Sequence, residues 1–129
     1  HQSEIQGYDI ATSRIVVTPG AKTIMFFSIL AMIEKGDEVI YPDPGFPIYE
    51  SAVRYAGATP VPLPLLEERD FSFDAADLEE RLNERTRLVI LNSPHNPTGG
   101  GVPAEALAEA AEAAPNAARP ALCRHVHGR

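Results

Sequence analysis

The segment Asn92-Ser93-Pro94-His95-Asn96-Pro97-Thr98-Gly99 follows directly on the apolar run Leu88-Val89-Ile90-Leu91. An asparagine side chain both donates and accepts hydrogen bonds. Pro94 and Pro97, one on each side of Asn96, restrict the backbone and so present that side chain in a set place. The plainer alternative is a turn between strand and helix, because Asn, Pro and Gly favour turns. A second segment, Asp43-Pro44-Gly45-Phe46-Pro47-Ile48-Tyr49, uses two prolines and a glycine to hold an aromatic ring just past the run Glu38-Val39-Ile40-Tyr41. Ligands of open α/β sheets bind outside the carboxyl ends of the strands, where such a ring can stack on a flat molecule. Core packing of Phe46 and Tyr49 is the alternative. In a third segment, Val17-Thr18-Pro19-Gly20-Ala21-Lys22, an extended run passes through glycine into a helical pattern. Free N–H groups at a helix start favour an anion, so a phosphate could sit near Gly20, Ala21 and Lys22. Taken alone, this pattern also fits an ordinary strand-to-helix turn.

The surrounding chain is expected to place these segments. Ile15-Val16-Val17 reads as a short buried strand. Residues 21–35 form an apolar pattern with almost no polar face, expected to be a helix buried on several sides and stopped by Gly36. Glu38–Tyr41 reads as a second strand, and a helix follows over 47–55. Residues 59–65 are extended but carry Pro60, Pro62 and Pro64, the mark of an edge strand or a polyproline-like run. Asp74 is placed to cap a helix over 75–84, and Leu88–Leu91 is the clearest buried strand. Strands alternating with helices imply an α/β fold, a mostly parallel sheet with helices on both faces.

Composition narrows the partners. The formal net charge is −7, which argues against general nucleic-acid binding. The longest apolar stretch, residues 24–33, falls short of the roughly 18 residues of a membrane span. No leader-peptide pattern opens the chain. The single cysteine, Cys123, can form no internal disulfide, so a reducing cytoplasm is the expected compartment. Cys123, His125 and His127 offer too few ligands for a closed zinc site, so no metal is expected. His95 reads as a turn residue rather than a general base, and the charged run at 67–70 as a solvated loop.

Val-Thr-Pro-Gly-Ala at 17–21, Gly-Asp-Glu-Val at 36–39, Pro-Gly-Phe-Pro-Ile-Tyr at 44–49 and Asn-Ser-Pro-His-Asn-Pro-Thr-Gly at 92–99 occur together in one order. In this the chain resembles the class I/II, aspartate aminotransferase-like group over roughly residues 5–101. The resemblance implies pyridoxal 5'-phosphate as cofactor and amino-group transfer between an amino acid and a 2-oxo acid in a homodimeric parent. It implies that residues 1–101 are part of the cofactor-binding large domain. Gly20, Ala21 and Lys22 match the phosphate-contacting segment, and Phe46 matches the aromatic that stacks on the pyridine ring. Asn96 matches the partner of the ring hydroxyl oxygen, Pro97 shapes the pocket wall, and Tyr49 falls on an aromatic near the site.

A transaminase also needs a lysine to hold the cofactor as a Schiff base. The chain has two lysines, Lys22 and Lys35, and neither has the serine-rich context of that residue in the group. The matching lysine, the aspartate for the ring nitrogen and the arginine for the substrate carboxylate all lie later in the group's pattern. No catalytic residue is therefore assigned, and the chain is expected to be inactive alone. Residues 102–129 hold ten alanines, with a helix expected over 105–114 and a frayed, atypical tail, lacking a strand, from Pro115 onward. Together with the initial His1, this suggests a truncated or frame-shifted fragment. Three alternatives stay open: a related pyridoxal-phosphate lyase, an inert fragment that does not fold stably, and a non-catalytic phosphate- or nucleotide-binding α/β module. Against the last, Gly-x-Gly-x-x-Gly and Gly-Lys-Ser/Thr loops are absent.

Overall fold

The computed structural model describes residues 9–102, residue 108 and residues 119–123. Four strands form one parallel sheet: β1 (Glu38–Asp43), β2 (Thr59–Pro64), β3 (Thr86–Asn92) and β4 (Arg119–Cys123), in the order β2-β1-β3-β4. The helices are α1 (Ala21–Met32), α2 (Ile48–Tyr55) and α3 (Ala75–Glu79). Successive strand residues face opposite sides, and both sides are covered. Val39, Leu88 and Ile90 pack against Ile29, Tyr49, Ala52 and Val53 of α1 and α2. Ile40, Val89 and Leu91 pack on the opposite side with Leu63, Leu65, Phe73 and Leu78. Complete burial of each such side chain contributes about 1.5–3 kcal/mol relative to exposure.

β2 is an edge strand on the described sheet, and its prolines explain why. The N–H of Thr59 donates to Asp37 O at 2.8 Å and that of Leu65 to Asp43 O at 2.7 Å. Odd-numbered residues of this stretch therefore face β1, and Pro60, Pro62 and Pro64 face away. That outer edge has no N–H to offer a further strand. Its Pro62 carbonyl accepts instead from Arg81 Nε at 3.0 Å. The Arg81 guanidinium also donates to the Asp77 carbonyl, one of the unpaired carbonyls at the end of α3.

Three expectations need correction. Ile15–Val17 is not a strand: a short 3-10 turn at Thr12–Arg14 precedes it, and Val17 is 90% exposed. β-branched residues favour strands only where a partner and a covering layer exist, and none of the four strands pairs with this run. The helix α1 is not buried on several sides either. It packs on α2 and β3 along one side, Ile29 is its one fully buried residue, and Phe27 is 57% exposed. Finally, the tail contains a strand, since Arg119–Cys123 pairs in parallel with Leu88–Asn92. The expected cap at Asp74 is observed, with its N–H donating to Asp77 Oδ2 at 3.1 Å, although α3 ends at Glu79 rather than 84. Apart from Ala108, which is helical, the helix expected over 105–114 lies outside the described residues, as do His125 and His127. Among the described residues no helix is long and apolar enough to cross a membrane.

Candidate functional site

Parallel pairing puts the carboxyl ends of β1 and β3 at one rim of the sheet, so the loops after Asp43 and Asn92 emerge side by side. The first loop turns sharply at Gly45, where a Cβ would collide with the Pro42 carbonyl, so only glycine fits. Phe46 follows, half-buried, and its carbonyl accepts from the Tyr49 N–H at 3.0 Å as α2 begins. The buried Tyr49 ring meets Phe46 edge-on, with centroids 6.2 Å apart and planes at 72°, a favoured aromatic geometry. Phe46 is thus held against the core by Tyr49.

The start of α1 reaches the same place. Lys22 Nζ lies 5.6 Å from the centroid of the Phe46 ring, within cation–π range. Gly20, the N-cap residue, has φ +94°, a left-handed value that disfavours any other residue. No side chain caps this helix start and no acidic residue lies in its first turn. The first-turn N–H groups and Lys22 together make an electropositive end suited to an anion.

The second loop is closed on itself. The His95 N–H donates to Gly100 O at 2.7 Å, and the Gly99 N–H returns to His95 O at 2.7 Å. Ser93 Oγ accepts from the Val102 N–H at 3.2 Å. Asn96 and Pro97 sit at the exposed tip of this closed turn, while Asn92 at its base is buried. The Asp43–Pro44, Ser93–Pro94 and Asn96–Pro97 peptide bonds are cis.

His95 matters more than its reading as a turn residue implied. It is only 3% exposed, and its Nδ1 lies 2.7 Å from Thr98 Oγ1. Burial lowers the pKa of this imidazole below its usual value, and the Pro44 carbonyl offsets part of that. The one signal in the sequence was the three-residue spacing from His95 to Thr98 inside a turn.

Of the residues singled out in the sequence, Lys22 and Phe46 are thus in contact, and Asn96 and Pro97 lie on the neighbouring loop of the same rim. Lys35 is elsewhere, at the far end of α1 beside Gly57. A groove lined by Leu30, Met32, Ile33, Glu34 and Arg87 also lies at that far end, away from the loop tips. Among the described residues no group of histidine, cysteine and carboxylate side chains could hold a metal ion.

Relatives share both sequence and shape. The chain is 40% identical over 100 residues to a probable aspartate/prephenate aminotransferase of Aquifex aeolicus, covering 78% of this chain and 25% of that protein. It is 42% identical over 98 residues to kynurenine–oxoglutarate transaminase 3 of Homo sapiens, covering 69% and 22%. The crystal structure of Thermus thermophilus aspartate aminotransferase with maleate superposes with a TM-score of 0.88 at 30% identity, over 95% of this chain and 32% of that one. The chain therefore spans about a quarter of the length of the curated relatives it matches. The family model described as aminotransferase class I and II matches residues 4–127, through the tail strand β4, and on that match the chain belongs to the class I and II aminotransferases.

Proposed function

We propose that the chain is the cofactor-binding portion of an aminotransferase that uses pyridoxal 5'-phosphate to move an amino group between an amino acid and a 2-oxo acid. The observation that carries this reading is the contact between Lys22, at an uncapped helix start, and the Phe46 ring at the carboxyl rim of the sheet. An anion site and a flat stacking surface then lie side by side, as a phosphorylated aromatic ring requires. When bound, pyridoxal phosphate supplies an electron-withdrawing ring that stabilises negative charge on a substrate carbon.

The chain's own residues do the holding. The N–H groups near Gly20, Ala21 and Lys22 bind the phosphate. The Phe46 face stacks on the ring, the Asn96 amide hydrogen-bonds the ring hydroxyl oxygen, and Pro97 closes the wall beside it. Residues 1–101 make up this unit, and β4, from the stretch 102–129, widens its sheet. The remaining strands, the Schiff-base lysine and the dimer partner belong to a longer parent, working in a reducing cytoplasm. The relatives include proteins named for aspartate, prephenate and kynurenine, so this stretch is shared by relatives of differing substrate.

Titration of the 129-residue chain with pyridoxal 5'-phosphate, followed by fluorescence, tests this. Saturable binding is expected, weaker for pyridoxal without its phosphate, and without Schiff-base absorbance. Asn96→Ala should weaken it about tenfold, the worth of one or two hydrogen bonds. Equal binding of nucleotides would replace this reading with a general phosphate-binding module. A borohydride-trapped adduct on Lys22 or Lys35 that supports transamination would overturn the expected inactivity.

A further inference from the structure

Gly100 closes the turn that carries Asn96. Its carbonyl accepts from the His95 N–H at 2.7 Å, and its own N–H donates to Thr98 Oγ1 at 3.3 Å. Its φ lies outside the left-handed region, so backbone freedom is not what calls for glycine. Space is: a Cβ at this position would collide with the Asp70 carbonyl oxygen and lie 3.2 Å from Phe71 Cβ. A backbone oxygen cannot swing aside as a long side chain can. Gly101, one residue on, has open space at the same place. The turn beneath Gly100 is itself held in a sparsely populated shape. Asp70 and Phe71 both have left-handed φ, 52° and 54°, which a bulky residue keeps only where its surroundings fix it. Here the Phe71 N–H donates to Leu66 O at 2.9 Å and the Ser72 N–H to Arg69 O at 3.0 Å. The Phe71 side chain packs against the apolar cluster that includes Phe73 and Leu91. Arg69 Nη1 meets Asp74 and Asp77 at 2.7 and 2.8 Å, which ties the turn to the start of α3.

We propose that the 66–72 turn is a buttress for the Asn96 loop, and that Gly100 is the positioning residue that seats the loop on it. A side chain that must hydrogen-bond a ligand has to be held within about 0.5 Å of its productive place. Asn96 and Pro97 sit at an exposed tip, so that precision has to come from the base of their turn. Gly100 supplies it through the hydrogen bonds that join it to His95 and Thr98, the residues flanking the tip. The bearing of this contact on ligand affinity rests on the function proposed above; the seating of one turn on the other does not.

The test uses the 129-residue chain and two ligands, pyridoxal 5'-phosphate and its 3-deoxy analogue, which lacks the ring hydroxyl assigned to Asn96. In the wild type, Overhauser contacts are expected between the Gly100 α-protons and the Phe71 β-protons, and their absence would overturn the seating. Gly100→Ala should shift the Asp70, Phe71 and Asn96 amides together, whereas Gly101→Ala should leave all three in place. Gly100→Ala should weaken pyridoxal 5'-phosphate about tenfold, as Asn96→Ala does, and the analogue by about twofold or less. Because the two residues act through one contact, the double variant should bind no more weakly than Asn96→Ala alone. Equal losses for both ligands would mark a merely structural glycine and overturn the proposal. If Gly100→Ala does not fold, Asp70→Gly keeps the left-handed backbone accessible while freeing the buttress to move. It should weaken pyridoxal 5'-phosphate more than the analogue, and an equal effect on both would count against the buttress. Should the wild-type chain bind no pyridoxal phosphate, the cofactor reading fails while the Overhauser contacts and amide shifts still decide the seating.

Discussion

The two rims of the sheet are built on opposite plans. At the amino rim, Glu38 is buried, yet every polar atom around it has a partner. Asn83 Nδ2 donates to Glu38 Oε2 at 2.7 Å, and the exposed guanidinium of Arg85 meets Glu38 Oε1 at 2.5 Å. The Glu38 N–H donates to Arg85 O at 2.8 Å, and the buried Thr86 hydroxyl accepts from the Asn83 N–H at 3.0 Å. This cluster ties the start of β1 to the start of β3, where their register shifts between Glu38 and Val39. At the carboxyl rim the groups point outward: an uncapped helix start, the half-buried face of Phe46 and the exposed Asn96 and Pro97. A buried charge is tolerated where it is paired and hydrogen-bonded. Groups whose work is to meet a ligand must stay open at the surface of a rigid scaffold. One rim therefore seals its polar groups inside, and the other leaves them open at the surface.

That contrast can be broken from either side. The largest effect is expected at the amino rim: Glu38→Ala leaves Asn83 and Arg85 without their acceptor and should cost about 2–3 kcal/mol in a denaturant melt, with ligand affinity per folded molecule unchanged. An equal loss of affinity would show that the two rims are not independent. Lys22→Met, at the carboxyl rim, should do the reverse. It should shift the melt by no more than the roughly 0.5–1 kcal/mol of an exposed cation–π contact and weaken pyridoxal 5'-phosphate binding roughly twofold to fivefold, the worth of one exposed charge pair with the phosphate.

The smallest effect is the dependence on acidity carried by His95. Burial lowers its pKa below the usual 6.5, and no charged group contributes to the shift. Between the lowered value and 6.5 the unfolded chain binds the proton more readily than the folded one, so stability rises with pH across that window. The contribution is complete above pH 6.5 and is lost as the pH falls below it. Chemical denaturation of wild type and His95→Gln at several pH values should show a slope in this range for wild type that the variant lacks. Equal slopes would assign the acid sensitivity to other groups.

Much of this architecture was legible in the sequence, for reasons that differ by element. Leu88–Leu91 and Glu38–Tyr41 announce themselves because strands buried on both faces need continuous apolar runs. The edge position of β2 was visible in the alternation of Pro60, Pro62 and Pro64, since a missing donor at every second residue can face only outward. Tyr49, Phe46 and Asn96 stood out because proline and glycine punctuation restricts the loops that carry them. The stretch Arg119–Cys123 was illegible: Arg-Pro-Ala-Leu-Cys has no strand pattern, and it is a strand because β3 presents an open row of donors and acceptors beside it. Ile15–Val17 misled in the opposite sense, having strand-forming residues and, among the described residues, no strand paired with it.

The sequence by itself determined the order of elements from α1 to β3, the special turn residues and the family, because periodicity, proline geometry and glycine freedom are local properties of the chain. Only the tertiary structure decided that Lys22 lies over Phe46 and that Glu38 is sealed by Asn83 and Arg85. Each of these joins residues from separate loops or strands. Their meeting depends on strand register and on which neighbour fills the sheet edge, and those are settled by packing between elements rather than by propensity within one.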